Sequence, residues 1–194
     1  MHCDYELLAH KQQRWNNYIT NYHLPEWDAI PDFGLYMDQV ITLMGKQLEL
    51  FQVGEERLLT SSMINNYVKG GVLPRPSQKK YSRDHLAMLT MICMLKSVLS
   101  LPEIQETMHG LDAENRVETL YPDFSSMELR ALGGVVERIR EMPDQSEESL
   151  YRMAMELAVE ANARRTAAAR ILSCLKQEEP KETKKEKSKK EAAE

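Results

Sequence analysis

The chain has little of what most catalytic or metal-dependent proteins require. Its three cysteines, Cys3, Cys93 and Cys174, stand far apart, and no two have the spacing of a zinc module or a disulfide framework. Cys93 falls in an apolar helical run and is read as core rather than as a reactive thiol. The five histidines, His2, His10, His23, His85 and His109, do not cluster. No glycine-rich phosphate loop, dinucleotide fingerprint or Ser/His/Asp constellation is present. These absences argue against an enzyme and lead us to expect no metal and no cofactor. No apolar run approaches the roughly 20 residues of a membrane span. The richest, Leu86 to Leu95, is flanked by His85 and Lys96. The N-terminus, MHCDYELLAHKQQRW, has neither the basic start nor the apolar stretch of a signal peptide, so a cytoplasmic protein with no membrane partner is expected.

The chain contains instead a succession of helical patterns. Apolar anchors repeat at three- and four-residue spacing at 4–22, 35–52, 61–69, 83–98, 101–108, 126–141 and 146–176. Between the first two lies an extended connector, LPEWDAIPDFG, with Trp27 and Phe33 placed to pin it to the core. Thr60 or Ser61, Ser82, Ser100-x-x-Glu103, Ser125-x-x-Glu128 and Asp144-x-x-Glu147 supply cap signals. Gly70-Gly71 marks a helix end. Gly133-Gly134, inside a helical pattern, leaves room for a close neighbour. Alternating strand patterns are missing, so the fold class is all-α, with at most a small β-ribbon at 72–81. The tail at 177–194 alternates Lys and Glu without apolar residues and is expected to be disordered. The last helix needs a surface to cover, and Leu150, Met153, Leu157, Ile171 and Leu172 are its candidate homodimer residues.

The richest segment is 60–81, TSSMINNYVKGGVLPRPSQKKY. Ser62, Asn65, Asn66 and Lys69 share one helix face, while Ile64, Tyr67 and Val68 lie on another. From Arg57 to Lys96 there are seven basic residues (Arg57, Lys69, Arg75, Lys79, Lys80, Arg83, Lys96) against one acid, Asp84, in a chain of net charge −5. A local patch governs attraction to a polyanion more than the total charge does. Asparagine amides can read adenine edges, and lysines hold phosphates. A solvated basic face on an ordinary helical domain is the plainer reading of the same residues.

The order of elements over 35–109 resembles the winged helix-turn-helix domain of MerR-type regulators. The residues that carry the likeness are Ile64-Asn65-Asn66-Tyr67, Lys69, Gly71 to Pro74, Lys79-Lys80-Tyr81 and the helix pair through Leu89, Ile92, Lys96, Ser100, Glu103 and Ile104. The string LPEWDAIP, LYMDQV, then MINNYVKGGVLPRPSQKKYSRDHLAML more closely resembles an uncharacterised bacterial family, domain of unknown function 1836, over about residues 24–109. The resemblance implies an N-terminal helix and connector at 1–34, a MerR-like winged helix-turn-helix domain at 35–110 and a helical extension at 111–176. It implies a transcriptional regulator that binds double-stranded DNA as a homodimer. The contacts would come from Ser61, Ser62, Asn65, Asn66, Tyr67 and Lys69 on the recognition helix and from Arg75, Lys79, Lys80, Tyr81 and Arg83 around the wing. Asn65 and Lys79 stand where MerR-type proteins usually carry arginine. The alternative is a MerR-like module that binds a protein or an effector and not DNA. Nothing in the sequence marks an effector pocket.

Overall fold

The computed structural model describes residues 21–52, 54, 57–111, 116–142 and 146–175. The helix read at 4–22, except for its last two residues, and the Lys/Glu tail lie outside them, as does the proposed cap at Asp144. Six α-helices lie wholly among the described residues: α1 (Met37–Gln47), α2 (Ser61–Lys69), α3 (Arg83–Leu95), α4 (Leu101–Leu111), α5 (Val117–Arg140) and α6 (Glu147–Leu175). Single 3-10 turns occupy Trp27–Ala29 and Glu49–Phe51. No strand occurs among the described residues, so the fold is all-α. None of the described helices is long and apolar enough to cross a membrane.

Helix α3 is the axis of the core. Leu86, Ala87, Leu89, Met91, Ile92 and Cys93 are buried around nearly its whole circumference, which requires neighbours on every side. Its one buried polar residue, Thr90, donates to the Leu86 carbonyl at 2.9 Å and receives the Gln47 Nε2 donor at 3.0 Å, tying α1 to α3. Burial pushes the Cys93 thiol up to about 11, which keeps it an inert core group. The connector closes one side. Leu24 and Ile30 are buried, and the Tyr121 hydroxyl donates to the Pro25 carbonyl at 3.0 Å across 96 residues of sequence.

The core runs from Leu24 to Tyr121, so the connector and the first turns of α5 belong to the same packed unit as α1–α4. Helix α5 departs from expectation. The Ser125-x-x-Glu128 pattern opens no helix, because α5 runs unbroken from Val117 through Pro122 to Arg140. An interior proline removes a backbone donor. Here the flanking turn is held by Leu120 and Tyr121, both buried against the core, and this packing overrides the local signal. Space around Gly133 and Gly134 is open, so the glycine pair does not receive a close neighbour. Helix α6 is capped by Ser146, whose Oγ accepts from the Ser149 backbone N–H at 3.3 Å. Arg138 of α5 pairs with Glu156 and Glu160 of α6.

Candidate nucleic-acid interface

Helix α2 begins and ends on local signals. Thr60 Oγ1 accepts from the Met63 N–H at 3.3 Å, capping the first turn. At the other end Val72 N–H reaches the Tyr67 carbonyl at 3.0 Å and Gly71 N–H reaches Val68 at 3.2 Å, the two bonds of a Schellman motif. Gly71 takes the left-handed conformation this needs, with φ of 74°. Ile64 (0% exposed) and Tyr67 (4%) anchor the helix to the core. The opposite face carries Ser62, Asn65, Asn66 and Lys69, all exposed, with Ser61 exposed at the helix start. No residue of α5 or α6 covers this face.

Beyond Gly71 the chain makes a tight turn closed by two isolated β-bridges. Leu35 and Tyr81 exchange backbone hydrogen bonds at 2.9 and 2.8 Å, and Ser77 pairs with Lys80 around a tight turn. Gln78 and Lys79 form the turn with φ of 49° and 62°. Two consecutive left-handed residues define a type I′ turn, which ordinarily takes Asn-Gly. Neither residue here is glycine, so the turn carries backbone strain on the order of 1 kcal/mol or more. Lys79 is held outward at its apex. Lys80 lies across Gly34, where a Cβ would meet the lysine Cβ at 2.8 Å, and its Nζ sits 5.6 Å from the Tyr36 ring centroid. Arg75, Lys79 and Lys80 are exposed.

Four of the basic and aromatic residues singled out from the sequence are engaged within the fold. Tyr81 (3% exposed), like Tyr67, is core and supports the surface from beneath. Burial pushes the Tyr67 hydroxyl up to about 12, chiefly by desolvation, and raises Tyr81 as well. Arg83 points away from the patch. Its Nε donates to the Ile30 carbonyl at 3.0 Å, its Nη1 lies 3.4 Å from Asp28, and its guanidinium stacks over Trp27 at 5.5 Å. It tethers the N-terminal connector. Lys96 likewise turns inward, donating from Nζ to the Leu58 carbonyl and bracing the chain that leads into α2. The outward basic residues of the segment are therefore Arg57, Lys69, Arg75, Lys79 and Lys80.

His85, in the first turn of α3, packs edge-on against Tyr81 with ring centroids 5.6 Å apart. Its Nδ1 accepts from the Ser82 backbone N–H at 3.1 Å and lies 2.8 Å from Ser82 Oγ, forming a capping box with histidine in place of the usual Glu or Gln. Accepting at Nδ1 leaves the proton on Nε2, which is buried and faces the Pro74 and Arg75 carbonyls without reaching hydrogen-bond geometry. Burial lowers the imidazole pKa, opposed in part by those carbonyls and by Asp84. The alternation of apolar and polar positions did not disclose this role. The Ser82-x-x-His85 spacing is its only sequence signal.

Among the five candidate dimer residues, Leu150, Met153 and Leu157 are half-buried and Leu172 is buried within the chain, leaving Ile171 exposed. The large apolar residues that α6 exposes at its N-terminal half are instead Tyr151, Met155 and Val159, spaced i, i+4, i+8. The described residues contain no group of His, Cys, Asp or Glu arranged to hold a metal.

No significant match was found among curated proteins or among solved structures. A family model, Domain of unknown function (DUF1836), matches residues 25–124. That span starts beside Leu24 and ends at Phe124, on the turn of α5 that also gives Leu120 and Tyr121 to the core, so the matched unit coincides with the packed unit. The chain belongs to the DUF1836 family.

Proposed function

We propose that this protein is a DNA-binding transcriptional regulator built on a divergent MerR-like winged helix-turn-helix. In this reading α2 enters the major groove and the basic turn at 77–80 grips the flanking backbone. The observation that carries it is the juxtaposition of an uncovered amide-and-lysine face on α2 with a strained turn that holds Lys79 outward. Asn65 and Asn66 are the base-reading candidates, each able to bond adenine at two atoms for about 1–3 kcal/mol of discrimination. Ser61, Ser62, Lys69, Arg75, Lys79 and Lys80 are the backbone contacts. The connection between α1 and α2, residues 48–60, replaces the 3–4-residue turn of an ordinary helix-turn-helix and includes the 3-10 turn Glu49–Phe51. Lys96 and the Thr60 cap fix its end, so α2 is rigidly presented despite the longer link.

One small module recognises a half-site weakly, so the reading includes a homodimer. The exposed Tyr151, Met155 and Val159 support α6 as its interface. Fluorescence anisotropy with random duplex and with sequences selected by the protein tests the proposal. Four cationic backbone contacts correspond to a salt slope of about −3 to −4 per protomer. Lys80→Ala should weaken binding to all duplexes alike and reduce that slope by about 1. Asn65→Ala and Asn66→Ala should relax preference at one position each and leave the slope unchanged. Absence of binding at micromolar protein and low salt would reject DNA recognition and favour the protein-interaction reading.

A further inference from the structure

A cavity of about 580 Å³ opens between the loop that leaves α2 and helices α3, α4 and α5. Its volume lies within the ~300–1,000 Å³ range of small-molecule sites. Leu73, Met88, Met108 and Leu120 give it an apolar floor, and Arg75 and Asp84 bring opposite charges to its edge. Neither charge is ion-paired with a described residue, in contrast to Arg83, which finds Asp28 and Asp32. Gln105 binds the Gly71 carbonyl at 3.1 Å, so the wall that carries Arg75 is anchored to α4 at its base.

We propose that this cavity binds a zwitterionic small molecule with an apolar body, of the amino-acid or short-peptide class. Its carboxylate faces Arg75, its ammonium faces Asp84, and its side chain lies on the two methionines and Leu120. The argument is charge complementarity: two unpaired charges of opposite sign border one apolar floor, and a ligand with both signs satisfies each without leaving the other exposed to a like charge. Methionine side chains suit such a floor because they adapt to ligands of differing shape. Arg75 also belongs to the proposed phosphate contacts. On that reading, which this one consequence rests on, an occupied cavity removes one cation from the DNA surface and lowers DNA affinity.

The site is tested without DNA. Methyl-¹³C methionine spectra of the full chain, with Met88 and Met108 assigned by Met→Leu substitution, are titrated with L-phenylalanine and with the dipeptide Leu-Phe. The single-charge analogues 3-phenylpropionate and phenethylamine serve as controls. The expected result is a saturable shift of both methyl signals with at least one zwitterion, the preferred probe showing whether an amino acid or a peptide is the better fit. Each analogue should bind at least about tenfold more weakly, as should Arg75→Gln and Asp84→Asn, since a charge-assisted contact of about 1.5 kcal/mol corresponds to roughly that factor. The remaining methionine signals report whether each variant keeps its fold. No shift with either zwitterion at millimolar concentration, equal binding of an analogue, or full binding by a folded variant would overturn the proposal. A second titration in the presence of duplex separates the two readings. Methyl shifts with unchanged DNA affinity would overturn the coupling alone. Methyl shifts in a protein that binds no duplex would overturn the DNA reading and leave the site standing.

Discussion

Replacing Arg83 with methionine distinguishes a structural tether from a phosphate contact. The substitution keeps most of the apolar stem and removes the charge. The Nε–H bond to the Ile30 carbonyl, 3.0 Å long, is charge-assisted and contributes about 1.5–3 kcal/mol. Stacking over Trp27 at 5.5 Å adds about 0.5–1 kcal/mol. The ion pairs add little, because the Asp28 and Asp32 side chains are 94% and 79% exposed and their attraction is screened by water. The loss should therefore be about 2–4 kcal/mol. For a chain of this size that is a fall in melting temperature of about 4–16 °C. Differential scanning calorimetry measures it, and duplex anisotropy on the same protein measures the salt slope, which should match the unsubstituted chain. A melting temperature within about 1 °C of the original, or a slope reduced as in Lys80→Ala, would refute the assignment.

Other expectations follow from the same physical terms. Lys79→Gly relieves the left-handed strain at φ 62° and should raise stability by about 0.5–1 kcal/mol in denaturant melts while weakening duplex binding. Tyr121→Phe leaves the Pro25 carbonyl without its donor and should cost about 1–2 kcal/mol, detectable by the same melts. His85 has a folded pKa below its unfolded value of 6.5, so it stabilises the neutral-pH fold and that contribution is lost as pH falls below 6.5. His85→Gln should flatten the stability profile across that window by up to about 1.4 kcal/mol per pH unit, read from melts at stepped pH. Glu128 behaves oppositely. Both its carboxylate oxygens are buried without a partner among the described residues, and burial raises its pKa above 4.5, so the ionised form destabilises the fold at neutral pH. Glu128→Gln should melt higher at pH 7.5, with the difference shrinking on acidification. An unchanged or lowered melting temperature at pH 7.5 would contradict this.

The sequence by itself determined what depends on neighbours within about a turn. The polar face of α2 follows from the spacing of Ser62, Asn65, Asn66 and Lys69, and its two ends follow from Thr60 and the Gly70-Gly71 pair. The capping box at Ser100 and Glu103 forms as the residues suggest, with the Ser100 N–H bonded to Glu103 at 2.8 Å. The helical class and the buried surface of α3 were legible for the same reason, since periodicity is a local property. Only the tertiary structure decided which cations face outward. Arg83 and Lys96 look like any other basic residue in the string, but their acceptors lie 53 and 38 residues away, at Ile30 and Leu58. The continuity of α5 through Pro122 was likewise invisible, because burial of Leu120 and Tyr121 against distant helices outweighs a local cap signal. The cavity beside Arg75 belongs to the same class: it is enclosed by side chains from four helices and a loop, and spacing along one chain carries no record of a space between several.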